Sequence, residues 1–285
     1  MAHTQNAPKI VLRLRSSAPS RIALEAAVRA ARALERRLSG VYIENSELMQ
    51  LAALSCVREI SFTGRDRPAA LTPERLAEDM RLVSAAAHRE LKALAELAGI
   101  DLDFTVVRDD PGRVLEGPVE AGALLALGEP FNATEAARLS HLLNEVDEIA
   151  GALITGPRSH RVRGPVVVAV EEAARVPVLL AYAQRLQSED RNGIVLLLVA
   201  DTPQRIAELK AAIQRLPRPD ADVQLAQALI SRAAAGRGAA GILAEAVIRY
   251  QGGFAIAHLG RLIRAREQEL KMLAQTLECP LLLLK

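Results

Sequence analysis

The chain has 285 residues, 50% hydrophobic and 25% charged, a composition typical of globular proteins. Its 36 Lys and Arg nearly balance its 34 Asp and Glu, and 2% of residues are aromatic, which argues against a basic or base-stacking surface for nucleic acid. Apolar runs such as 194–200 are too short to span a membrane, and residues 1–9 lack the apolar segment of a secretion signal. We therefore expect a cytoplasmic protein that neither binds nucleic acid nor inserts into a membrane.

Strands and helices alternate through residues 1–157. The long helix beginning at Pro73 is the most clearly bounded, because Thr72 is a suitable N-cap, proline favours the first helical position and Gly99 is a typical stop. Strands are predicted at 10–14, 40–43, 102–107, 123–127 and 152–155, and helices at 19–37, 73–97 and 133–149.

The same alternation resumes after a stretch rich in Gly, Pro and polar residues, which we interpret as a linker at 158–164. In residues 165–285, strands are predicted at 165–170, 193–200, 222–230, 254–259 and 280–284, and helices at 176–187, 203–216, 239–250 and 262–277.

Nearly continuous apolar strands that alternate with helices are typical of parallel sheets covered on both faces. The predicted fold is therefore α/β, with two tandem Rossmann-like domains at 1–157 and 165–285. Each is expected to hold its own five-stranded, mostly parallel sheet with helices on both faces. The matching order of elements indicates an internal duplication.

The first half carries an insertion at about 45–70 that has no counterpart in the second. Four apolar residues recur there every three positions and predict one stripe on a short helix: Leu48, Leu51, Leu54 and Val57. The stripe either packs against its own domain or faces outward as a surface for a protein partner or a second copy.

Motifs that carry chemistry are weak in this chain. The segment GRGAAG at 236–241 matches a dinucleotide-binding pattern but follows the third strand of its half, so it is better interpreted as a turn. The two cysteines, Cys56 and Cys279, have no neighbouring base in the sequence, and no histidine has metal-ligand spacing to another His or Cys. The sequence therefore predicts a protein that is not an enzyme and holds no metal.

Both halves resemble the universal stress proteins, a family with a five-stranded parallel α/β unit. The resemblance is carried by GPVVVAV (164–170), FAIAHLG (254–260) and CPLLLLK (279–285) in the second half, and by KIVLRLRSSAPS (9–20), SGVYIEN (39–45) and ALLALGEP (123–130) in the first. It implies a tandem universal stress protein whose fifth strands, 152–155 and 281–284, pair within one chain.

ATP-binding members of that family carry Asp at the end of the first strand and the motif G-2x-G-9x-G-[ST] after the fourth. Here the Asp positions hold Arg15 and Glu171. When the motif is started at Gly128 or at Gly260, the required glycines are replaced by Phe131, His141, Ile263 and Leu273. Without a glycine loop to bind phosphates, no ATP or other cofactor is expected.

The resemblance thus favours a non-catalytic, stress-associated protein that acts through protein contacts. The alternative is a sensor of an adenine nucleotide or another small ligand, with a modified site in the first half formed by Arg15, Ser16, Ser17 and Gly128. A hydrolase or transferase of the same superfamily is the third class, and the sequence offers it no acid–base pair or phosphate loop.

Overall fold

A computed structural model describes residues 8–15, 19–59, 69–109, 121–128, 133–187, 193–215, 222–229, 238–260 and 263–285. The first half contains β1 (Lys9–Leu14), α1 (Arg21–Ala33), β2 (Arg37–Asn45), α2 (Ser46–Ala52), β3 (Arg58–Glu59), β4 (Ala69–Ala70), α3 (Pro73–Ala98), β5 (Leu102–Asp109), β6 (Ala123–Leu127), α4 (Ala133–Glu145) and β7 (Ile149–Ile154). The second half contains β8 (Val166–Val170), a 3-10 turn (Ala173–Arg175), α5 (Val176–Gln187), β9 (Ile194–Ala200), α6 (Pro203–Gln214), β10 (Val223–Leu229), α7 (Ala239–Arg249), β11 (Phe254–His258), α8 (Glu267–Thr276) and β12 (Leu281–Leu284).

The ten long strands form one sheet in the order β10-β9-β8-β11-β12-β7-β6-β1-β2-β5. Within each half all neighbours are parallel, and the halves meet through the antiparallel pair β7–β12. The predicted parallel α/β fold is confirmed, as is pairing between the fifth strands. This pairing joins the two five-stranded sheets into one, because β7 and β12 would otherwise be unpaired edge strands and instead complete each other's hydrogen bonding.

The two halves match in register as well as in strand order. Ala126 of β6 and Ile256 of β11 are equivalent, because each lies beside its first strand two residues before that strand ends. Ala126 neighbours Leu153, and Ile256 neighbours Leu282. Leu153 and Leu282 therefore occupy the same position in the two halves, and they also pair with each other. A pseudo-two-fold axis passes through this leucine pair.

Helices cover both faces of the sheet. Helices α1, α3, α5 and α6 contribute buried residues to one face, and α4, α7 and α8 contribute them to the other. Helix α7 lies between β10 and β11, whereas the described part of the first half has no helix between β5 and β6.

The helix starts follow from local hydrogen bonding. The hydroxyl oxygens of Thr72 and Thr202 accept the N–H groups of Arg75 and Arg205 at 3.3 and 3.4 Å, so both are N-caps followed by proline. Gly99 ends α3 with a left-handed φ of 66°, a conformation that costs glycine little.

Several local predictions differ from the structure: helix α1 ends four residues earlier than predicted, at Ala33, α4 ends four residues earlier, at Glu145, and β7 begins at Ile149 instead of residue 152. Helix α8 begins five residues later than predicted, at Glu267, and β2 is longer at both ends, because its alternating polar residues hid it from a search for apolar runs. The short hairpin β3–β4 in the insertion was not predicted, since a two-residue strand leaves no periodic pattern.

The predicted linker lies against the second half. The N–H groups of His160 and Arg161 both donate to the Glu278 carbonyl, at 3.0 and 3.2 Å, and the Arg161 and Glu278 side chains form an ion pair. Within the described residues, no helix combines the length and apolar character needed to cross a membrane.

Candidate functional site

The strand order of each half makes one crevice at the carboxyl edge of its strands. The first and fourth strands are neighbours, β1 beside β6 and β8 beside β11, and the connections that leave them go in opposite directions. Ligands of open α/β sheets bind at such a switch point. The residues after β1, β6, β8 and β11 are therefore the first candidates for a site.

In the first half, Arg15 directly follows β1 and forms an ion pair with Glu135 of α4. The Glu135 side chain is 8% exposed and that of Arg15 is 26% exposed, so the charge of Arg15 is balanced from within the fold. Ser16 and Ser17, the other polar residues predicted for this site, lie outside the described residues.

Gly128, the fourth predicted residue, lies at the same edge. Its N–H donates to the Arg13 carbonyl at 2.8 Å and its carbonyl accepts the Ser20 N–H at 3.0 Å. A Cβ at this position would lie 2.7 Å from the Arg13 carbonyl oxygen. The close approach of two backbones therefore explains this glycine, and the structure brings Arg15 and Gly128 to one edge without showing a ligand.

In the second half, Glu171 occupies the position equivalent to Arg15. Its carboxylate accepts the Ile263 N–H at 2.8 Å, and the Gly260 N–H donates to the Ile263 carbonyl at 2.8 Å. The turn after β11 is thus closed on the Glu171 side chain. A backbone N–H group that could face a phosphate is bound by the protein's own carboxylate.

His258 lies at the end of β11, equivalent to Gly128 in the first half. Its pKa is lowered from 6.5, first by burial and then by the nearby Arg175, against a smaller opposite effect of Glu172. Its Nε2 atom is buried and has no hydrogen-bond partner among the described residues. Burial and the Arg175 charge therefore favour the neutral imidazole, while hydrogen bonds to the backbone of Lys285 and Leu259 act in the opposite direction.

Sequence reasoning missed a basic cleft next to His258. The cleft has a volume of about 580 Å³ and is lined by cationic side chains that lie far apart in the chain, among them Arg175, Arg266 and Lys285. Arg175 and Lys285 follow the buried strands β8 and β12, and Arg266 directly precedes α8. A search of the sequence for basic residues at the ends of strands and helices could have found them, whereas a search for glycine motifs does not.

The two thiols differ sharply. Burial raises the pKa of Cys279 to about 12, so this thiol is inert at neutral pH, and Cys56 is exposed in the insertion. Across the described ranges, no three His, Cys, Asp or Glu residues come together as a metal site would require.

The insertion stripe is only partly helical. Leu48 and Leu51 lie on α2, which Asn45 caps, whereas Leu54 and Val57 come after the helix. The three leucines are 38%, 48% and 51% exposed, so they do not pack into the core of their own half. In the glycine-rich segment 236–241, Gly238 is the N-cap of α7 and residues 239–241 belong to the helix, whereas residues 236–237 lie outside the described residues, so the predicted turn is not tested.

Comparison with known proteins gives no family profile and no curated sequence that matches the chain. Similar solved structures include a universal stress protein from Archaeoglobus fulgidus, with 12% identity, a TM-score of 0.57, and 96% and 98% of the two chains covered. A Pseudomonas aeruginosa protein assigned to the universal stress proteins has 12% identity, a TM-score of 0.55, and 99% and 94% covered.

The cytoplasmic domain of a prokaryotic cation chloride cotransporter is also similar, with 10% identity, a TM-score of 0.53, and 97% and 95% covered. At these identities the likeness concerns the fold. The chain therefore has the Rossmann-like α/β fold of the universal stress proteins over nearly its whole length.

Proposed function

We propose that the chain is a tandem pair of universal stress protein-like domains that is not an enzyme and acts in the cytoplasm through protein contacts. Support for the tandem arrangement comes from the repeated strand order and from the pseudo-two-fold axis at Leu153 and Leu282. Fold alone does not give a function, so the proposal depends on what lies at the two crevices.

The bond between Glu171 and Ile263 carries the proposal. A universal stress-like site needs free backbone N–H groups after the fourth strand to hold phosphates. Here the Glu171 carboxylate takes the Ile263 N–H at 2.8 Å. An incoming phosphate would have to displace a carboxylate and would meet its negative charge, which disfavours ATP in the second half.

The first half supports the same conclusion through a different contact. Its cation, Arg15, is paired with the buried carboxylate of Glu135. A nucleotide phosphate would compete with that ion pair for the guanidinium and would leave Glu135 buried without its partner, which costs free energy.

Contact with proteins is supported by the insertion. Leu48, Leu51 and Leu54 present apolar side chains on one short segment, each more than a third exposed. Exposed apolar groups that cluster in this way are typical of interaction surfaces. The buried residue of α2, Ala52, fixes the helix to its domain while the leucines stay outside.

Nucleotide content is the first test. The protein is purified without added nucleotide and denatured, and the supernatant is analysed by anion-exchange chromatography at 260 nm. We expect an empty supernatant. Stoichiometric ATP, ADP or AMP would contradict the proposal and favour the sensor.

The contact role is tested by Leu51→Glu with Leu54→Glu. We expect the wild-type chain to form an assembly, measured by light scattering, or to capture a partner that the double variant loses. Leu82→Glu is the matched control, because Leu82 is a 64% exposed leucine on α3. If the variant keeps both the fold and every interaction of the wild type, the stripe is not the contact surface.

A small-ligand sensor in the first half is the second candidate. It is favoured by the exposed 26% of the Arg15 side chain at the crevice. If a nucleotide raises the melting temperature and Arg15→Ala abolishes that rise, the sensor replaces the contact role. If no nucleotide changes the melting temperature of the wild-type chain, the sensor function is rejected.

A further inference from the structure

We propose that β10, the outer strand of the second half, pairs antiparallel with β10 of a second copy of the chain, across a two-fold axis. Among the strands that the structure describes, β10 has one neighbour, β9, so the N–H and C=O groups on its other side face no partner strand. A free strand edge is a template for pairing with another chain. The contact lies outside the insertion and does not depend on the role proposed for its leucines.

The two outer edges of the sheet are equivalent strands with different composition. Strands β5 and β10 are each the third long strand of their half, and each pairs with the second. Strand β5 carries Asp103, Arg108 and Asp109, whereas β10, with the sequence VQLAQAL, carries no charged residue. Charged residues on an edge strand oppose pairing, because a partner strand would take them out of water. The β5 edge is therefore protected against pairing, and the β10 edge is not.

The side chains of β10 are also poorly covered. Helix α6 packs on β9, and α7 packs on β8 and β9. Leu225 and Leu229 of β10 are 41% and 52% exposed, whereas every residue of β9 is buried. A partner strand would cover the open backbone edge and these apolar side chains together.

A groove borders β10 on each face of the sheet. The groove on the α6 side has a volume of about 340 Å³ and is lined by Ile206 and Lys210, and the groove on the α7 side has about 710 Å³ and is lined by Glu245 and Arg249. A strand added beside β10 sends alternate side chains to the two faces, and both grooves give them room. The charged groups that line the two grooves include both signs, so a two-fold contact does not bring surfaces of one sign together.

The strand is complementary to a second copy of itself. In an antiparallel pair centred on Ala226, Leu225 lies opposite Gln227 of the second copy, and Val223 lies opposite Leu229. No charge is opposed to a like charge, and the apolar residues near the two ends of the strand meet each other.

Pairing of β10 with β5 of another copy is less favourable. It would place the β5 charges against an uncharged strand, and because the two surfaces differ it would repeat from copy to copy. A contact through β10 alone uses the same surface of both copies and closes at a dimer. The chain already contains one such solution, since the equivalent strands β7 and β12 pair antiparallel across the pseudo-two-fold axis.

The test is sedimentation of the full chain at about 1 to 200 µM, where we expect a reversible monomer–dimer equilibrium. Leu225→Lys with Gln227→Lys brings ammonium groups of both copies together and should raise the dissociation constant at least about tenfold. Thr105→Lys with Val106→Lys is the matched control, because it adds the same charge to exposed residues of the other edge strand. The control should change the dissociation constant by less than about twofold. Circular dichroism confirms that each variant is folded.

Cross-linking tests the register without a destabilising charge. Leu225→Cys and Gln227→Cys are made separately in chains that also carry Cys56→Ser, because Cys56 is exposed and Cys279 is buried. The two variants are mixed and oxidised with copper phenanthroline. The proposed register places positions 225 and 227 opposite each other, so the mixture should form disulfide-linked dimers faster than either variant alone.

Three results would overturn the proposal: a wild-type chain that stays monomeric at about 200 µM, a dimer that the β10 variant leaves unchanged or that the β5 control weakens equally, and cross-linking that is no faster in the mixture. If the monomeric chain binds a synthetic peptide of residues 222–229, the edge takes a strand from another protein instead. Leu51→Glu with Leu54→Glu separates this contact from the insertion. A dimer that this variant keeps supports pairing through β10, and a dimer that it alone loses is assigned to the insertion leucines.

Discussion

The two halves have the same scaffold and opposite charges at the same place. Arg15 and Glu171 are equivalent residues after the first strand, and each is satisfied from within its own half, by Glu135 and by the Ile263 N–H. The scaffold is fixed by buried apolar strands, whereas the residue after each strand has no part in that packing. Duplicated sheets can therefore keep their register while their crevices diverge freely.

A second difference lies just beyond the fifth strands. Gly156 and Lys285 are equivalent, three residues beyond the leucine pair on the axis. At Gly156 the chain continues into the linker and packs against the Ala274 carbonyl. At Lys285 a long side chain reaches α4 and borders the cleft. The same position therefore makes a backbone contact in one half and a side-chain hydrogen bond in the other.

The largest expected effect tests the axis itself. Leu153→Ala and Leu282→Ala remove buried side chains that are 1% and 0% exposed, and each should lower the free energy of unfolding by about 3 kcal/mol. Because the two leucines pair across β7 and β12, the double variant should not be additive. Urea unfolding measures this.

Leu97→Ala is the control for the axis variants, since Leu97 is 85% exposed and should change stability by less than about 0.5 kcal/mol. If Leu153→Ala and Leu282→Ala lower the free energy of unfolding by strongly different amounts, the two leucines are equivalent in strand register but not in packing.

Gly156→Ala and Lys285→Ala come next. A Cβ at 156 would overlap the Ala274 carbonyl oxygen, so we expect a loss of about 1–3 kcal/mol from forced backbone shifts. Lys285→Ala loses its bond to Val146 and should cost about 0.5–1.5 kcal/mol. Thermal unfolding followed by circular dichroism compares the two variants, and a melting temperature that is lower for Lys285→Ala than for Gly156→Ala would contradict the prediction.

Glu171→Ala should lower stability by about 1 kcal/mol, because the Ile263 N–H loses its acceptor, while Glu171→Gln keeps an oxygen acceptor and should cost less. Glu172→Ala is the matched control, an exposed carboxylate one residue away. If Glu172→Ala costs as much as Glu171→Ala in chemical unfolding, the carboxylate does not close the turn.

The lowered pKa of His258 predicts a modest pH dependence that the first half lacks, because Gly128 stands at its equivalent position. The folded state binds the proton less well than the unfolded chain, first through burial and then through Arg175, with Glu172 opposing. Stability should therefore fall as the pH drops below about 6.5, toward the lower folded-state value. The variant His258→Gln should show a weaker dependence of stability on pH in this range. If the dependence is unchanged in the variant, another group causes it.

The smallest effect concerns the thiols, one in each half. Cys56 is exposed and should react with a disulfide reagent at pH 8, whereas Cys279, with its pKa raised by burial from 9.0 to about 12, should react only after unfolding. Two fast thiols per native chain, counted by absorbance, would contradict the burial of Cys279.

Much of the fold was predictable because its signals are local. The apolar runs at 194–200 and 281–284 give buried strands, and Thr72 with Pro73 marks the start of α3, since capping and propensity depend on neighbouring residues. The candidate site was harder to predict from the sequence. Arg15 was correctly placed at a strand end, but its partner Glu135 lies 120 residues away and no local pattern joins them.

The sequence by itself determined the alternation of strands and helices and the matching order of these elements in the two halves. The resemblance implied that the fifth strands pair, whereas tertiary structure alone decided the register that places Leu153 opposite Leu282 and brought Arg175, Arg266 and Lys285 to a single cleft. The physical reason is range. Periodicity and capping act over a few residues, whereas strand pairing across β7 and β12 and the meeting of distant charges depend on how the whole chain packs.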